Sequence, residues 1–551
     1  MKKLIFACLI VILGSVLGAQ TDPQWLWASR AGGAGNDIGY SISRDNAGNL
    51  YCTGIFLDVA QFGDTHLATA GNNDIFVAKL DPSGNWLWAV RAGGTGDDRG
   101  MVVSADGDGN SYIIGYFNGS ADFGSTTLTS AGLADMFIAK LDPSGNWLWV
   151  KHAGGLGDDV GQTVIIKEGY CYLTGYFSGT ASFGAISLSS VGSGDIFVAR
   201  MDTNGNWLWA KRAGGTGHDE GDSVSIDGSG NCYMSGYFHN SATFGSHSLT
   251  GSGWDVFVTK LDPEGNCLWA SSAGGSGTEG GWSLCADANG NCIVTGPFSH
   301  SASFGNTTLH CLGSQDIYIA RLDNEGNWLW ARRAGGSYVM SENTDVGCNV
   351  VLDDSGNCCV AGYYYGEDAD FGALVLPNGG YYNLFIAWLD VSGNWLWAIT
   401  CNGFSNDSCW SVCLDGEGNT YATGAFSFSM NFGDTQLTSA GERDVWVGKL
   451  SPVVPVDDDL TPGLEGVSCI YNAYPNPFRQ SETALIKAHV AHGESGTLTL
   501  YNLRGQIIQS QQLSSGPHEI TINGTGLPAG VYLYQLSTPT LNTTRKLVLL
   551  K

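Results

Sequence analysis

Basic residues are scarce in this sequence. Lysine and arginine number 25 against 52 aspartates and glutamates in 551 positions, a formal net charge of −27. Such a surface repels polyanions, which excludes nucleic acid and anionic membrane as partners. Charge is sparse altogether, at 14% of residues, while aromatics reach 11%, and that balance builds packed cores and not a disordered chain. Beyond the first 20 residues no apolar run reaches the roughly 18 residues of a bilayer-spanning helix, so no transmembrane anchor is expected. Cys-x-x-Cys pairs, a phosphate loop, H-E-x-x-H and a Ser-His-Asp order are also missing. Zinc-ribbon, nucleotide, zincin and triad chemistry go with them. No cofactor is expected, calcium being the one ion left open.

What stands at the N-terminus directs the chain out of the cytoplasm. Lys2 and Lys3 precede an apolar run from Leu4 to Leu17 and the small pair Gly18-Ala19, the pattern of a secretory signal peptide over residues 1–19. Its removal takes away two lysines and no acid, so the mature charge moves from −27 to −29. Export permits disulfides, yet the cysteines do not form a framework of spacings. Cys171, Cys232, Cys292 and Cys358 fall at one place in successive repeats, equivalent to Leu50, and read as small buried hydrophobes. Cys401 and Cys409 flank one loop, and whether they pair stays open.

The repeat is marked by Asn85-Trp86-Leu87-Trp88-Ala89. Its first tryptophan, or the equivalent residue, recurs at Trp25, Trp86, Trp147, Trp207, Cys267, Trp328 and Trp395, with spacings of 61, 61, 60, 60, 61 and 67 residues. A period of this size denotes a supersecondary unit that buries its apolar face only against its neighbours. Within the unit, Ile42 and its counterparts Val103, Val164, Val224, Leu284, Val350 and Val412 sit between small residues in strand alternation. Twelve D-x-x-G-N turns follow. Six join first to second strands, at Asp45, Asp106, Asp227, Asp287, Asp353 and Asp415. The other six join third to fourth, at Asp81, Asp142, Asp202, Asp262, Asp323 and Asp390. Aspartate caps the turn and glycine supplies positive φ. Each unit therefore has four antiparallel strands. Seven such units around an axis make an all-β, seven-bladed β-propeller. The chain opens on a lone fourth strand, Trp25-Leu26-Trp27, and its seventh unit stops after a third strand, Asp444 to Leu450, so the N-terminal strand is expected to close the last blade.

The unit G-N-W-L-W-A…A-G-G-x-G-x-D…D-x-x-G-N…T-G-x-F…F-G…D-I-F-V-A-K-L-D resembles the SBBP repeat, a bacterial β-propeller repeat family, over residues 20–450. The resemblance implies an extracytoplasmic propeller and brings no catalytic residues. Departures fall at Cys267 for tryptophan, at Asn383 for the Asp74 equivalent, and at Lys167-Glu168-Gly169 for the usual turn. Residues 451–466, rich in proline and aspartate, read as a linker. Residues 467–551 alternate as short strands of a small β-sandwich. Their motifs Tyr474-Pro475-Asn476-Pro477-Phe478, Tyr501-Asn502-Leu503-Arg504-Gly505, Leu527-Pro528-Ala529-Gly530-Val531-Tyr532 and the basic ending at Lys546 resemble the type A sorting domain of the type IX secretion system. That resemblance implies the type IX secretion machinery as a partner and export across an outer membrane. Removal of the domain, with release or attachment at the cell surface, would follow.

Two places could hold a ligand. Asp37, Asp98, Asp159, Asp219 and Glu279 recur in the loops after the fourth strands, where turn capping is the first reading. The sixth unit is the irregular one, with Tyr338, Glu342, Asp345, Tyr363-Tyr364-Tyr365, Glu367, Asp368 and Tyr381-Tyr382. Aromatics beside carboxylates suit sugar stacking, which nominates Tyr338, Glu342, Tyr364, Glu367, Asp368 and Tyr381 as ligand-binding residues. Catalytic residues are not assigned. The expected function is an exported, non-enzymatic propeller of the extracellular space or cell surface that binds a glycan or a surface protein. The alternative is a secreted glycoside hydrolase or lyase using sixth-unit carboxylates, which would need two of them about 5 to 9.5 Å apart.

Overall fold

The computed structural model describes residues 23–337, 344–366, 368–377, 381–403, 405–451, 468–470, 478–480, 483–491 and 493–551. The expected signal peptide, most of the expected linker, Tyr338, Glu342, Glu367 and Tyr474 to Pro477 lie outside these. The chain divides into two compact units, Met1–Val454 and Pro455–Lys551, and every regular element among the described residues is a strand.

In the first unit one pattern recurs seven times. Sheet one pairs Ile38–Arg44, Leu50–Phe56, Asp74–Leu80 and Trp86–Gly94 in chain order, all antiparallel. Sheets two to six repeat it, their fourth strands beginning at Trp147, Trp207, Cys267, Trp328 and Trp395. Sheet seven takes Ser408–Leu414, Thr420–Phe426 and Asp444–Leu450 from the end of the unit and its fourth strand, Trp25–Gly33, from the beginning. The strand that the sequence left unpartnered at the N-terminus thus completes the sheet that lacked one.

The twelve D-x-x-G-N turns are closed by their aspartates. In the first of the third-to-fourth turns, Asp81 accepts from the Ser83 and Asn85 N–H groups at 2.8 and 2.9 Å and from the Asn85 amide at 2.8 Å. The departure at Lys167-Glu168-Gly169 turns instead through positive φ at both Glu168 and Gly169, 52° and 81°.

W-L-W couples neighbouring sheets. The first tryptophan packs edge-on against the phenylalanine of an adjoining hairpin, as Trp86 does on Phe62 at 5.3 Å. The second reaches the next unit's turn, as Trp88 Nε1 donates to the Pro143 carbonyl at 3.1 Å. The leucine between them faces solvent. The A-G-G ending then runs under the next hairpin, Gly33 pairing with Ala60, so closely that a Cβ on Gly33 would lie 1.8 Å from the Val59 carbonyl oxygen.

First strands touch one another through small polar side chains. Val103 N–H donates to Ser41 Oγ, Ile166 N–H to Ser104, Leu284 N–H to Ser223, Val350 N–H to Ser283 and Val412 N–H to Asn349 Oδ1. Thr163 donates to the Asp222 carbonyl. Ile42 N–H donates to Ser411, which returns the series from the seventh sheet to the first. The polar residues flanking Ile42 and its counterparts are therefore junction residues, each satisfying a backbone N–H or, at Thr163, a backbone carbonyl across a sheet boundary.

The cysteines behave as buried hydrophobes. Cys171, Cys232, Cys292 and Cys358 are at most 1% exposed and pair in register with Met201, Leu261, Leu322 and Leu389. Cys401 and Cys409 are both free thiols, so the pairing left open by the sequence is not made.

In the second unit, Cys469–Ile470, Thr483–Val490 and Gly516–Asn523 form one sheet; Phe478–Arg479, Asn542–Leu550, Gly530–Ser537, Gly496–Asn502 and Ile507–Leu513 form another. Ile486, Val490 and Ile520 from the first sheet share one core with Leu498, Tyr534 and Leu547 from the second.

Candidate functional site

The carboxylates after the fourth strands serve the backbone. Asp37 accepts from Gly33 and Leu57 N–H at 2.6 and 3.1 Å, Asp98 from Gly94 and Asn118, and Asp219 from Gly215 and His239. Asp345 and Asp407 complete the set, Asp345 capping Gly336 and Tyr365 at 2.7 and 2.8 Å. Burial pushes these acids up: Asp98 to about 6, and Asp37, Asp159, Glu279, Asp345 and Asp407 to about 7. Turn capping, the first reading of the sequence, is what their geometry does, and Asp345 is engaged in it. Asp106, in the turn that loosely matches a calcium loop, likewise accepts from Asp108 and Asn110 within its own turn.

The sixth-unit candidates separate. Tyr364 is a core residue, 0% exposed, with its hydroxyl donating to the Pro377 carbonyl at 2.7 Å. It cannot stack on a ligand, which corrects its assignment. Strand alternation explains the error: Tyr363 and Tyr365 lie on one face and Tyr364 on the other. Tyr365 meets Tyr382 at 4.8 Å and Tyr381 at 6.4 Å, while Tyr363 meets Tyr382 and Trp410. Tyr381 is 58% exposed and Asp368 is exposed, so these two stay on the surface.

A denser constellation lies across sheets three and four, and sequence reasoning missed it. Glu220 opens the first strand of sheet four and accepts from Gln162 Nε2 of sheet three and from the Tyr237 hydroxyl. His218 Nε2 lies 3.4 Å from Glu220 Oε2. Asp222 follows at a β-bulge, where the register slips between Gly221 and Ser223, and such a bulge re-aims the extra side chain. One Asp222 oxygen is buried without a partner among the described residues. Burial, then the charge of Glu220, holds its carboxyl well above the ordinary range. Rings surround the pair: Tyr176 lies 4.9 Å from His218, and Trp254 lies 5.3 Å from Tyr237 and 4.8 Å from His239. The signal was present position by position. Glu220 stands where other repeats carry Ile38, Arg99 or Val160, and Trp254 where they carry Asn73, Ala134 or Gly194.

Sheet four also carries the weakest copy of the repeat strand, Cys267–Gly275. At Cys267, where the other copies have tryptophan, a cavity of about 330 Å³ opens, lined by Met234, Phe244, Gly245, Leu261, Arg212 and Cys267 among others.

Against known families, a model described as secretion system C-terminal sorting domain matches residues 472–550. The chain carries a secretion sorting domain. Secretion to the outer surface follows from it. A beta-propeller repeat model matches residues 26–54. A curated relative, an uncharacterized WD repeat-containing protein of Acanthamoeba polyphaga mimivirus, is 23% identical over 76% of this chain and 37% of its own length. The chain thus spans little more than a third of that relative. Among solved structures, a fungal alcohol oxidase of the AA5 family is similar at 13% identity and TM-score 0.39, over 96% of this chain and 99% of that one. PorZ, a surface component of the type IX secretion system of Porphyromonas gingivalis, is similar at 11% identity and TM-score 0.25, over 93% and 81%.

Within the sorting domain, Asn502 closes its turn as the propeller aspartates do, accepting from Arg504 and Gln506 N–H at 2.9 and 3.0 Å, with Gly505 at φ 76°. Gly530, at φ 155°, begins the strand of Tyr532, whose hydroxyl donates to the Pro528 carbonyl at 2.6 Å. Phe478 pairs in parallel with Leu549, and Lys546 lies opposite Leu533 in the adjoining pair. The motif residues described thus fall on the turn and strands around the C-terminal strand.

Proposed function

We propose that this chain is a non-enzymatic binding protein, exported by its sorting domain. Its first unit is read as a seven-bladed β-propeller latched by the N-terminal strand, and its second as a β-sandwich. The ligand is a glycan or a surface protein, with a glycan favoured by one observation: rings of Tyr176, His218, Tyr237, His239 and Trp254 gather around Glu220 and Asp222. Flat rings stack on sugar faces while carboxylates accept from hydroxyls. The site belongs to sheets three and four, and Tyr381 and Asp368 of sheet six are a separate patch. Binding of the secreted chain to a polysaccharide panel tests the reading, with Trp254→Ala and Tyr381→Ala beside it. Loss in Trp254→Ala alone supports it; retention there, or binding to no glycan, moves the weight to a protein partner.

A hydrolase or lyase is the second reading, supported by the Glu220 and Asp222 pair. A carboxyl whose pKa burial raises, beside a second carboxyl group that accepts hydrogen bonds, is a pairing such chemistry uses. Release of reducing sugar by wild type and not by Asp222→Asn would establish it.

A further inference from the structure

In five of the seven sheets the fourth strand carries a basic side chain that meets the first residue of the third strand beside it. Arg30 pairs with Asp444 at 2.9 Å, Arg91 with Asp74 at 2.6 Å and His152 with Asp135 at 3.2 Å; Arg212 pairs with Asp195 and Arg333 with Asp316. The carboxylates are 0% exposed, whereas their basic partners keep 16 to 43% of their side-chain surface, so each slot is reached from solvent. Sheet six has lost both partners together. Asn383 replaces the aspartate, and Thr400 replaces the cation and donates to the Leu384 carbonyl at 2.8 Å.

Sheet four has lost only the cation. Ser272 stands in its place, opposite Phe257 in the register that sets Arg91 opposite Phe76. Asp255 remains, 5% exposed, with no ion pair among the described residues. The space is open: a cavity of about 370 Å³ is lined by Thr250, Ser252, Asp255, Ser272, Gly274 and Ser303. The loop has adjusted as well. In the sister sites the residue four before the aspartate donates its N–H to the carboxylate, as Ala70 does to Asp74. Here that residue is Gly251, where a Cβ would lie 1.9 Å from Asp255 Oδ2, and Ser252 N–H donates instead at 3.0 Å. A buried carboxylate without a counter-charge is costly, and four arginines at the sister positions of the same molecule show what the slot is shaped to hold.

We propose that this cavity takes a guanidinium group supplied from outside the chain, bound to Asp255 as Arg91 is bound to Asp74. A planar guanidinium satisfies a carboxylate through paired N–H donors in a way an ammonium does not. The source is either a free small guanidinium compound or an arginine side chain of a protein, and it is independent of the glycan reading.

The test is ligand-observed NMR on the secreted full chain near pH 8. The probes are acetyl-arginine amide, its lysine counterpart, and a pentapeptide with a central arginine. Wild type is expected to bind the arginine amide. Asp255→Asn and Ser272→Arg should each weaken it at least about tenfold, the second by filling the slot in cis, a change that also keeps the fold because four sister strands carry an arginine there. Tighter binding of the pentapeptide assigns the slot to a protein arginine, and equal binding assigns it to a small compound. No binding of either arginine probe, unchanged binding in Ser272→Arg, or equal binding of the lysine amide would overturn the proposal.

Discussion

The Ser411 hydroxyl accepts a hydrogen bond at 3.2 Å from the backbone N–H of Ile42, a residue 369 positions earlier in the chain. It is the seventh member of a series whose other junctions join consecutive repeats, and it alone in that series joins the last repeat to the first. Ser411→Ala leaves the buried Ile42 donor unpaired, and a loss of about 1 kcal/mol in denaturant unfolding is expected.

The seventh sheet rests more heavily on the strand Trp25–Gly33, which pairs with Val445–Leu450 and brings Trp25 to 4.8 Å from Phe432. Deleting Gln24 to Arg30 removes the ladder and that packing together, exposing the edge of Asp444–Leu450. A melting temperature lowered by several degrees is the expected outcome; an unchanged melt would show that the seventh sheet does not depend on the strand.

Gly84 combines two constraints that separate substitutions can distinguish. Its φ is 85°, and a Cβ there would lie 2.6 Å from Trp27 Cε3 of the neighbouring sheet. Gly84→Ala should therefore cost more than Asp81→Ala, which loses turn hydrogen bonds worth about 1 kcal/mol in all at an exposed site. Equal costs in chemical denaturation would mean the tryptophan gives way.

At Cys267 the repeat predicts its own repair. The cavity beside it is about 330 Å³, and the equivalent Trp328 donates its indole N–H to the Ser272 carbonyl at 3.1 Å. Cys267→Trp should fill the space, reach the Arg212 carbonyl and raise stability by about 1 to 2 kcal/mol. A lower melting temperature would show that sheet four has closed around the smaller side chain.

The contrast between these positions explains what the sequence made legible. Turns, W-L-W and the small residues beside Ile42 recur because each satisfies a local or next-sheet requirement, so periodicity exposed them. Glu220, Tyr237, Trp254 and Tyr176 are ordinary residues at four different strand positions, and their meeting depends on the packing of sheet three against sheet four. Tyr364 misled for the opposite reason: three tyrosines in a row look like one aromatic patch, while a strand turns the middle one inward. Ser272 is likewise unremarkable until four arginines are seen at its register.

The buried capping acids set a pH dependence whose sign is fixed by their direction. Asp37, Asp98, Asp159, Glu279, Asp345 and Asp407 are held at about 6 to 7 by burial, above the value near 4 of an unfolded carboxyl. The folded chain therefore binds protons that the unfolded chain has released. This contribution is full below about pH 4 and is lost as pH rises through about 7. The turn aspartates act the other way: hydrogen bonds from Asn85 and Asn146 hold Asp81 and Asp142 low, so their contribution is lost in stronger acid. Stability should be greatest between roughly pH 4 and 6 and fall toward pH 8. Asp98→Asn removes one titration and keeps an acceptor for only one of the Gly94 and Asn118 N–H groups, so its melting temperature should be lower throughout but fall less between pH 5 and pH 8 than that of wild type. A wild-type melt that is flat or rises over that interval would show that these acids stay ionised in the folded chain.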